Sequence, residues 1–346
     1  MKAGGFGFIA ILAFVSALGP FSIDMYLVAM PQMAEALTAS PAAMQMTITA
    51  YLIGNAVGPL FLSPLSDAWG RKRAQTIFLA AYALASAACA LSPTAEALIA
   101  ARVAQALAAG TATAASRAMM SDLFSGDALS RATSLLMTVF TVTPVVAPLF
   151  GAWLLGAFGW RGLFWSLVAV GVASVLLLRL LPETLPPERR RPYRPGPVLA
   201  AYAAMAGRPL ARRYLASTFA FAFVFFGMLA SAPFIFIEHY GVSEGRFALL
   251  FAAISAAAFA GNILNARLVF RFGYDRMLAG ASWTLLLVGF AMAAASALDS
   301  AWLVFTVMLW IMAVFHVSIA SSLAGVMKVA GERAGAAAAA LVFCRF

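Results

Sequence analysis

Charged and metal-binding side chains are scarce in this sequence. Only 10% of its 346 residues are Asp, Glu, Lys or Arg, and it has two cysteines and two histidines. Cys89 and Cys344 both fall in apolar runs, which does not predict a disulfide framework or a thiolate metal cluster. His239 and His316 are far apart and form no ligand pattern, so we expect no metal site.

Signatures of enzymes are also missing. None of the three lysines lies in a G-x-x-x-x-G-K-[S/T] phosphate-binding loop, so ATP hydrolysis is not expected. The sequence has no H-E-x-x-H motif and no pair of intramembrane carboxylates that would suggest an intramembrane protease. We therefore expect that the chain is not an enzyme and uses no cofactor.

Apolar residues are abundant instead. They make up 64% of the chain, and the mean hydropathy is +0.93, which points to lipid as the solvent. The apolar runs are continuous rather than alternating, which favours membrane-spanning helices over a β-barrel. Ten full spans are predicted, at 6–28, 44–64, 75–92, 96–118, 134–156, 161–181, 214–237, 246–270, 277–297 and 300–324. An eleventh begins near Ala334, and its 13 residues to Phe346 reach about 20 Å, against a hydrocarbon core of about 30 Å.

Basic residues cluster in alternate loops between these spans. Such clusters follow the second, sixth and eighth spans, and the intervening loops have almost none. This pattern predicts a cytoplasmic N-terminus in a bacterial inner membrane. The net charge of +10 therefore reflects membrane anchoring, and we expect no nucleic-acid partner.

One long polar segment divides the chain into two halves. Residues 182–213, rich in proline and arginine, predict a cytoplasmic linker between an N-terminal six-helix half, 1–181, and an incomplete C-terminal half, 214–346. The loops A-W-G-R-K-R (68–73) and R-F-G-Y-D-R (271–276) match in three positions at an offset of 203 residues. Because both loops hold the same topological place, a parallel repeat is indicated, with the end of helix 11 and helix 12 lacking.

Two charges inside predicted spans are candidates for proton coupling. Asp24 is the one acid of thirteen in the interior of a span, and Arg102 is the one base well inside a span. A charge in a membrane helix is costly, which makes it a functional hypothesis by default. Both residues are predicted to lie at a similar depth in the membrane, so we expect Asp24 to titrate and Arg102 to tune the pKa of Asp24. The alternative is that Asp24 is solvated near the interface and Arg102 extends outward to water.

Neutral polar residues and helix-bending residues give further candidates. A substrate route is suggested by four polar residues on the spans, although hydrogen bonds between helices are the commoner role of such groups: Tyr26, Gln45, Gln105 and Asn262. A bend with close packing is predicted in the fifth span by Pro144, Pro148 and Gly151.

The most specific motif is S-P-L-S-D-A-W-G-R-K-R (63–73), at the end of the second span. An acid beside a glycine turn and several bases can act as a conformational latch, although a simple membrane anchor is the plainer interpretation. The motif resembles the signature loop of the major facilitator superfamily, G-x-x-x-D-R-x-G-R-K/R. It matches at Asp67, Gly70, Arg71 and Lys72 and departs at Ser63 and Ala68, where the family has Gly and Arg. The missing Arg removes one charge partner of the latch.

Other stretches resemble the drug/proton antiporters of the bicyclomycin-resistance (Bcr/CflA) group: G-P-F-S-I-D-M-Y-L (19–27), A-A-R-V-A-Q-A-L (100–107), A-P-L-F-G-A-W (147–153) and S-A-P-F-I-F-I-E-H-Y-G-V-S (231–243). The resemblance implies an all-α major facilitator fold of twelve helices in two six-helix halves, of which ten full helices and a partial eleventh are present here. It also implies alternating access, a hinge or seal in the fifth span, and export of drug-like compounds in exchange for protons.

Two alternatives to that function stay open at the level of the sequence. One is a carrier for an endogenous metabolite or small peptide, working in either direction, and the other is a truncated membrane fragment that does not transport. The expected partners are a small-molecule substrate, protons and the lipid bilayer, and we expect a monomer.

Overall fold

The computed structural model describes residues 5–193, 196, 200, 203–205, 207–330 and 334–345. Within these ranges the regular structure is helical, without β-strands, as predicted. Some positions of the predicted halves and linker (1–4, 194–195, 197–199, 201–202, 206, 331–333 and 346) lie outside the described residues. The chain forms two compact units, Met1–Pro195 and Gly196–Phe346, and the division falls inside the predicted linker.

Six α-helices lie within the described residues of the first unit: α1 (Phe6–Leu27), α2 (Met30–Ala36), α3 (Pro41–Trp69), α4 (Arg71–Ala90), α5 (Ala95–Leu123) and α6 (Gly126–Leu178). Helix α3 packs on α5, α1 on α6, and α4 on both α5 and α6. The N-termini of α3 and α5 are capped by hydroxyl side chains. Ser40 Oγ accepts a hydrogen bond from Ala43 N at 3.2 Å, and Thr94 Oγ1 accepts one from Ala97 N at 3.3 Å. The short helix α2 lies where the sequence predicted only a loop, 29–43.

The second unit is built from α7 (Pro209–Pro233), which continues as a wider π-helical turn (Phe234–His239), α8 (Glu244–Ala297), α9 (Ala301–Ala330) and α10 (Ala334–Arg345). Helix α9 packs against α8 and α7, and α10 lies against α7 and α9. Gly261 allows a close approach of α8 to α9, since a Cβ there would collide with the carbonyl of Ala313.

Among the residues described, seven helices are long and apolar enough to cross a membrane: Phe6–Leu27, Pro41–Trp69, Ala95–Leu123, Gly126–Leu178, Pro209–His239, Glu244–Ala297 and Ala301–Val329. Helices α6 and α8 have 53 and 54 residues, which is roughly 80 Å at the helical rise. Each is interrupted by a glycine outside the helical region, Gly159 in α6 and Gly273 in α8. The ten predicted spans divide both helices at these glycines and add α4, so the number ten stays a prediction.

The two loops that suggested a repeat share an unusual backbone conformation. Gly70 has φ 95° and ψ 150°, and Gly273, 203 residues later, has φ 75° and ψ 158°. A positive φ at these values strongly favours glycine. The agreement supports the repeat, because the matched residues also perform the same local turn.

Candidate functional site

Arg102 lies in α5 and is completely buried. Its Nη1 donates to the carbonyl of Ser22, at 3.1 Å, and to Oε1 of Gln105, at 2.8 Å. Its Cζ lies 4.5 Å from the ring centroid of Tyr26 and 4.1 Å from that of Tyr51. The alternative in which Arg102 extends outward to water is therefore wrong, because the guanidinium points into the first unit.

Asp24 lies in α1 and is 7% exposed, so the alternative of a well-solvated carboxylate is also wrong. The ion pairs found in the described part of the chain do not include one between Asp24 and Arg102. Arg102 contacts Ser22 and Tyr26 of α1, which lie two positions before and after Asp24 and therefore on the other face of that helix. The expected proximity of Asp24 and Arg102 and their coupling role both stay predictions.

A buried polar network surrounds Arg102. Gln105 Nε2 donates to Ser86 Oγ at 2.8 Å, and the hydroxyls of Ser22 and Tyr82 are hydrogen-bonded at 2.7 Å. The Tyr26 hydroxyl is hydrogen-bonded to that of Thr47, and the Tyr51 hydroxyl donates to the carbonyl of Gly19 at 3.1 Å. These bonds join α1, α3, α4 and α5 around one buried cation.

Most members of this network were not among the residues predicted from the sequence. A signal for them does exist, since polar residues occur four positions apart on three helices: Ser22 and Tyr26, Thr47 and Tyr51, Tyr82 and Ser86. Residues at this spacing lie on one face of a helix. Three such pairs in apolar spans, together with Arg102 and Gln105, indicate a shared polar interior.

The predicted substrate-route residues do not form one group. Tyr26 and Gln105 are in the buried network, and Gln45 is half-buried on α3. Asn262 is exposed on α8, in the second unit. A role in substrate binding stays a prediction for all four.

The predicted antiporter segment of α6 packs closely on α1. A Cβ at Gly151 would lie 2.6 Å from the carbonyl oxygen of Met25 and 2.9 Å from its Cγ. Pro148 and Gly151 are buried, Pro144 is half-buried, and the helix continues through both prolines. This region therefore places α6 directly beside Asp24, and its use as a hinge stays a prediction.

The predicted latch residues form a charge cluster at the junction of α3 and α4. Arg71 makes an ion pair with Asp67, and its Nε lies 2.9 Å from Oδ2 of Asp122 in α5. Its Nη1 also donates to Ser66 Oγ at 2.8 Å. The Arg71 and Asp122 side chains are 11% and 8% exposed, so this contact is largely shielded from water.

Glu183, from the segment after α6, caps the start of α4. Its carboxylate accepts from the backbone N–H groups of Arg71, at 3.0 Å, and Lys72, at 3.2 Å. A Cβ at Gly70 would lie 2.7 Å from Glu183 Oε2, so the turn requires glycine for space as well as for its positive φ. An acidic group at a helix N-terminus is favoured by the free N–H groups and the helix dipole.

Lys72 also binds the segment that follows α6. Its Nζ donates to the carbonyls of Arg179, at 2.9 Å, and Leu181, at 2.7 Å. The N–H of Arg191 donates to the carbonyl of Asp67 at 3.1 Å. The first part of the predicted linker is therefore bound to the latch loop.

The residues described here contain no group of three or more His, Cys, Asp or Glu side chains that could hold a metal ion. The arrangement consists instead of a buried cation in a polar network, a buried acid on the neighbouring helix α1 and a charge cluster at one end of the helices. Together with several membrane-length helices, this arrangement is typical of a multi-pass membrane transporter.

The sequence model of the Major Facilitator Superfamily matches residues 12–346 of this chain. The chain belongs to this superfamily. It is 37% identical over 263 residues to the uncharacterized MFS-type transporter YdgK of Bacillus subtilis, covering 74% of this chain and 65% of that protein. It is 31% identical over 277 residues to the bicyclomycin resistance protein homolog of Haemophilus influenzae, covering 79% and 69%. The chain thus spans about two thirds of the length of these relatives.

Solved transporter structures share the fold. A bacterial homolog of the human lysosomal transporter Spinster, in an inward-facing and unoccupied conformation, has a TM-score of 0.79 at 18% identity, covering 98% of this chain and 78% of that one. The xylose transporter XylE from E. coli, in a partially occluded inward-open conformation, has a TM-score of 0.71 at 14% identity, covering 98% and 90%. The predicted family is confirmed, and the matched members of this family are transporters rather than enzymes.

Proposed function

We propose that this protein exports small drug-like molecules in exchange for protons by alternating access. The observation that carries the proposal is the buried, unpaired arrangement of Arg102 and Asp24 in a first unit that resembles the Bcr/CflA antiporters. The relative from Haemophilus influenzae is named for bicyclomycin resistance, which supports drug efflux. We further propose an inner-membrane location with ten spans and a cytoplasmic N-terminus, supported by the basic residues in alternate loops.

The proposed coupling mechanism depends on the free-energy cost of an ionised Asp24 in the buried interior of the first unit. The ionised form of a carboxyl group that is enclosed by helices lacks the hydration it has in water, and a nearby cation offsets part of that missing stabilisation. Arg102 lies within the same network as the neighbours of Asp24, so it can supply that offset without a permanent ion pair. A proton is then held by Asp24 in one state and released when substrate or the opposite conformation changes the surroundings.

The latch and the antiporter segment supply the conformational part. We propose that the Asp67, Arg71 and Asp122 contacts stabilise one arrangement of the cytoplasmic ends, and that they rearrange during transport. Gly151 permits α6 to lie against α1 beside Asp24, so movement of α6 would change the space around the carboxylate. This links the proton site to the motion of the helices.

The test is ethidium efflux in membrane vesicles with an imposed proton gradient. We expect the chain to expel ethidium when the gradient is present, and we expect Asp24→Asn to abolish this dependence because the side chain no longer binds a proton. Asp127→Asn is the matched control, since Asp127 is an exposed acid in the first turn of α6. Unchanged gradient-driven efflux in Asp24→Asn contradicts the coupling role, and gradient-driven uptake of ethidium would favour an importer.

A further inference from the structure

We propose that Asp24 and a row of aromatic side chains beside it form a binding site for flat organic cations. The aromatic row consists of Phe21 of α1 and three residues of α6: Phe150, Trp153 and Phe158. This inference rests on the proposed efflux function and names the chemical class of its substrate, a planar aromatic molecule with a positive charge.

The rings of the aromatic row follow one another at contact distance. The ring centroids of Phe21 and Phe150 are 6.0 Å apart. Those of Phe150 and Trp153 are 5.6 Å apart, and the Trp153 ring lies 6.2 Å from that of Phe158. The three α6 side chains are all exposed in the first unit. The row therefore offers several ring faces and edges to a planar ligand.

Asp24 lies on the side of α1 that meets the aromatic row. Phe21, Asp24 and Val28 are three and four positions apart, so they share one face of α1. The ring of Phe21 contacts that of Phe150 in α6. A Cβ at the next residue of α6, Gly151, would lie 3.1 Å from Val28 Cγ2. Since both neighbours of Asp24 on this face contact α6, Asp24 lies where the two helices meet.

The Asp24 carboxyl group is buried without compensation in the described part of the chain. It is 7% exposed, and no hydrogen bond or ion pair to it is found among the described residues. Arg102 contacts Ser22 and Tyr26 on the other face of α1. A buried carboxylate without a partner is costly, so a ligand that brings a positive charge is favoured beside it. Lipid chains could cover the rings, but they carry no charge that would compensate Asp24.

An acid together with aromatic rings selects an organic cation on two grounds. The negative faces of the rings attract a cation, and stacking on them favours a planar molecule. An uncharged molecule of the same shape would gain the ring contacts but would leave Asp24 uncompensated. We therefore expect the site to prefer the charged molecule of such a pair.

The first experiment measures this preference with the full chain in lipid nanodiscs at about pH 9, where carboxylates are ordinarily ionised. Ethidium fluorescence reports binding, and N-methylphenanthridinium and uncharged phenanthridine are compared as competitors. We expect the cation to bind at least about tenfold more tightly, and we expect Asp24→Asn to remove most of this preference. The control is Asp127→Asn, since Asp127 is an exposed acid of α6. An equal preference in both variants, or no saturable ethidium binding, overturns the site.

The second experiment tests the rings. We expect Trp153→Leu to raise the Kd of ethidium about threefold to tenfold, and Trp153→Phe to restore most of the loss, because it keeps a ring face. Trp165→Leu is the matched control, since Trp165 is also exposed on α6 but lies outside the aromatic row. Equal Kd values for Trp153→Leu and Trp165→Leu overturn the site, as expected of rings that meet only lipid.

The outcomes separate this site from the proposed function. A chain that fails these binding tests but shows gradient-driven efflux overturns the site and leaves the proposed function standing. A chain that passes them without gradient-driven efflux supports the site and contradicts the proposed function.

Discussion

Replacement of Gly151 by alanine tests the contact between α6 and α1. The added Cβ would lie 2.6 Å from the Met25 carbonyl oxygen, 2.9 Å from Met25 Cγ and 3.1 Å from Val28 Cγ2. A backbone oxygen cannot rotate away as the end of a side chain can, so the two helices must separate. Overpacking of this kind costs about 1–3 kcal/mol.

Gly156→Ala is the matched control, since Gly156 is in the same helix and a Cβ there meets nothing within 4 Å. Both substitutions gain the same helix preference of alanine over glycine, about 1 kcal/mol, so this gain cancels in the comparison. We therefore expect Gly151→Ala to be about 1–3 kcal/mol less stable than Gly156→Ala. The measurement is reversible unfolding in mixed detergent and SDS micelles. Equal stability of the two variants would refute the close approach of α6 to α1.

Two further predictions concern charged groups. Asp122→Asn removes the shielded carboxylate partner of Arg71, and we expect the free energy of unfolding to fall by about 1–3 kcal/mol. This is below the usual cost of breaking a buried ion pair, because Asp67 remains as a partner of Arg71. Unfolding in SDS measures the loss, and a loss that disappears in high salt would contradict the shielding of this pair from water. The hydrogen bond from His239 lowers the pKa of Asp299. The contact therefore stabilises the fold at pH values above the ordinary pKa of aspartate, and this stabilisation is lost as the pH falls through the lowered pKa. We expect His239→Gln to raise the pKa of Asp299, as measured by NMR titration of labelled carboxylates, and an unchanged titration would contradict the contact.

Hydropathy and loop charge were sufficient to predict the helical membrane class. Each span is a local property, since the bilayer demands about 20 apolar residues in a row wherever the chain crosses. The number of spans was harder, because α6 and α8 each continue past the length of one crossing with a single glycine as the interruption. The short helix α2 was missed because seven residues carry too little periodicity.

The partners of the predicted site residues could not be read in the same way. Motif spacing identified Arg71, but Asp122 is 51 residues further along and Glu183 is 112. Only the packing of α4 against α5 and α6 brings them together. Likewise, Arg102 was recognised as a costly charge, whereas its compensation by Tyr26 and Tyr51 depends on how three helices face one another.

The loops at Gly70 and Gly273 have the same main-chain turn but different side-chain interactions across it. At the offset of 203 residues, the counterpart of Arg71 is Tyr274. Arg71 reaches an acid near the end of α5, whereas the ring of Tyr274 lies under a base near the end of α9, with Lys328 Nζ 5.6 Å from its centroid. The element that both loops have is therefore the bend of the main chain, whereas the attraction across the bend differs in its chemistry. Each loop can accordingly change its sensitivity to ions and substitutions without altering the path of the chain.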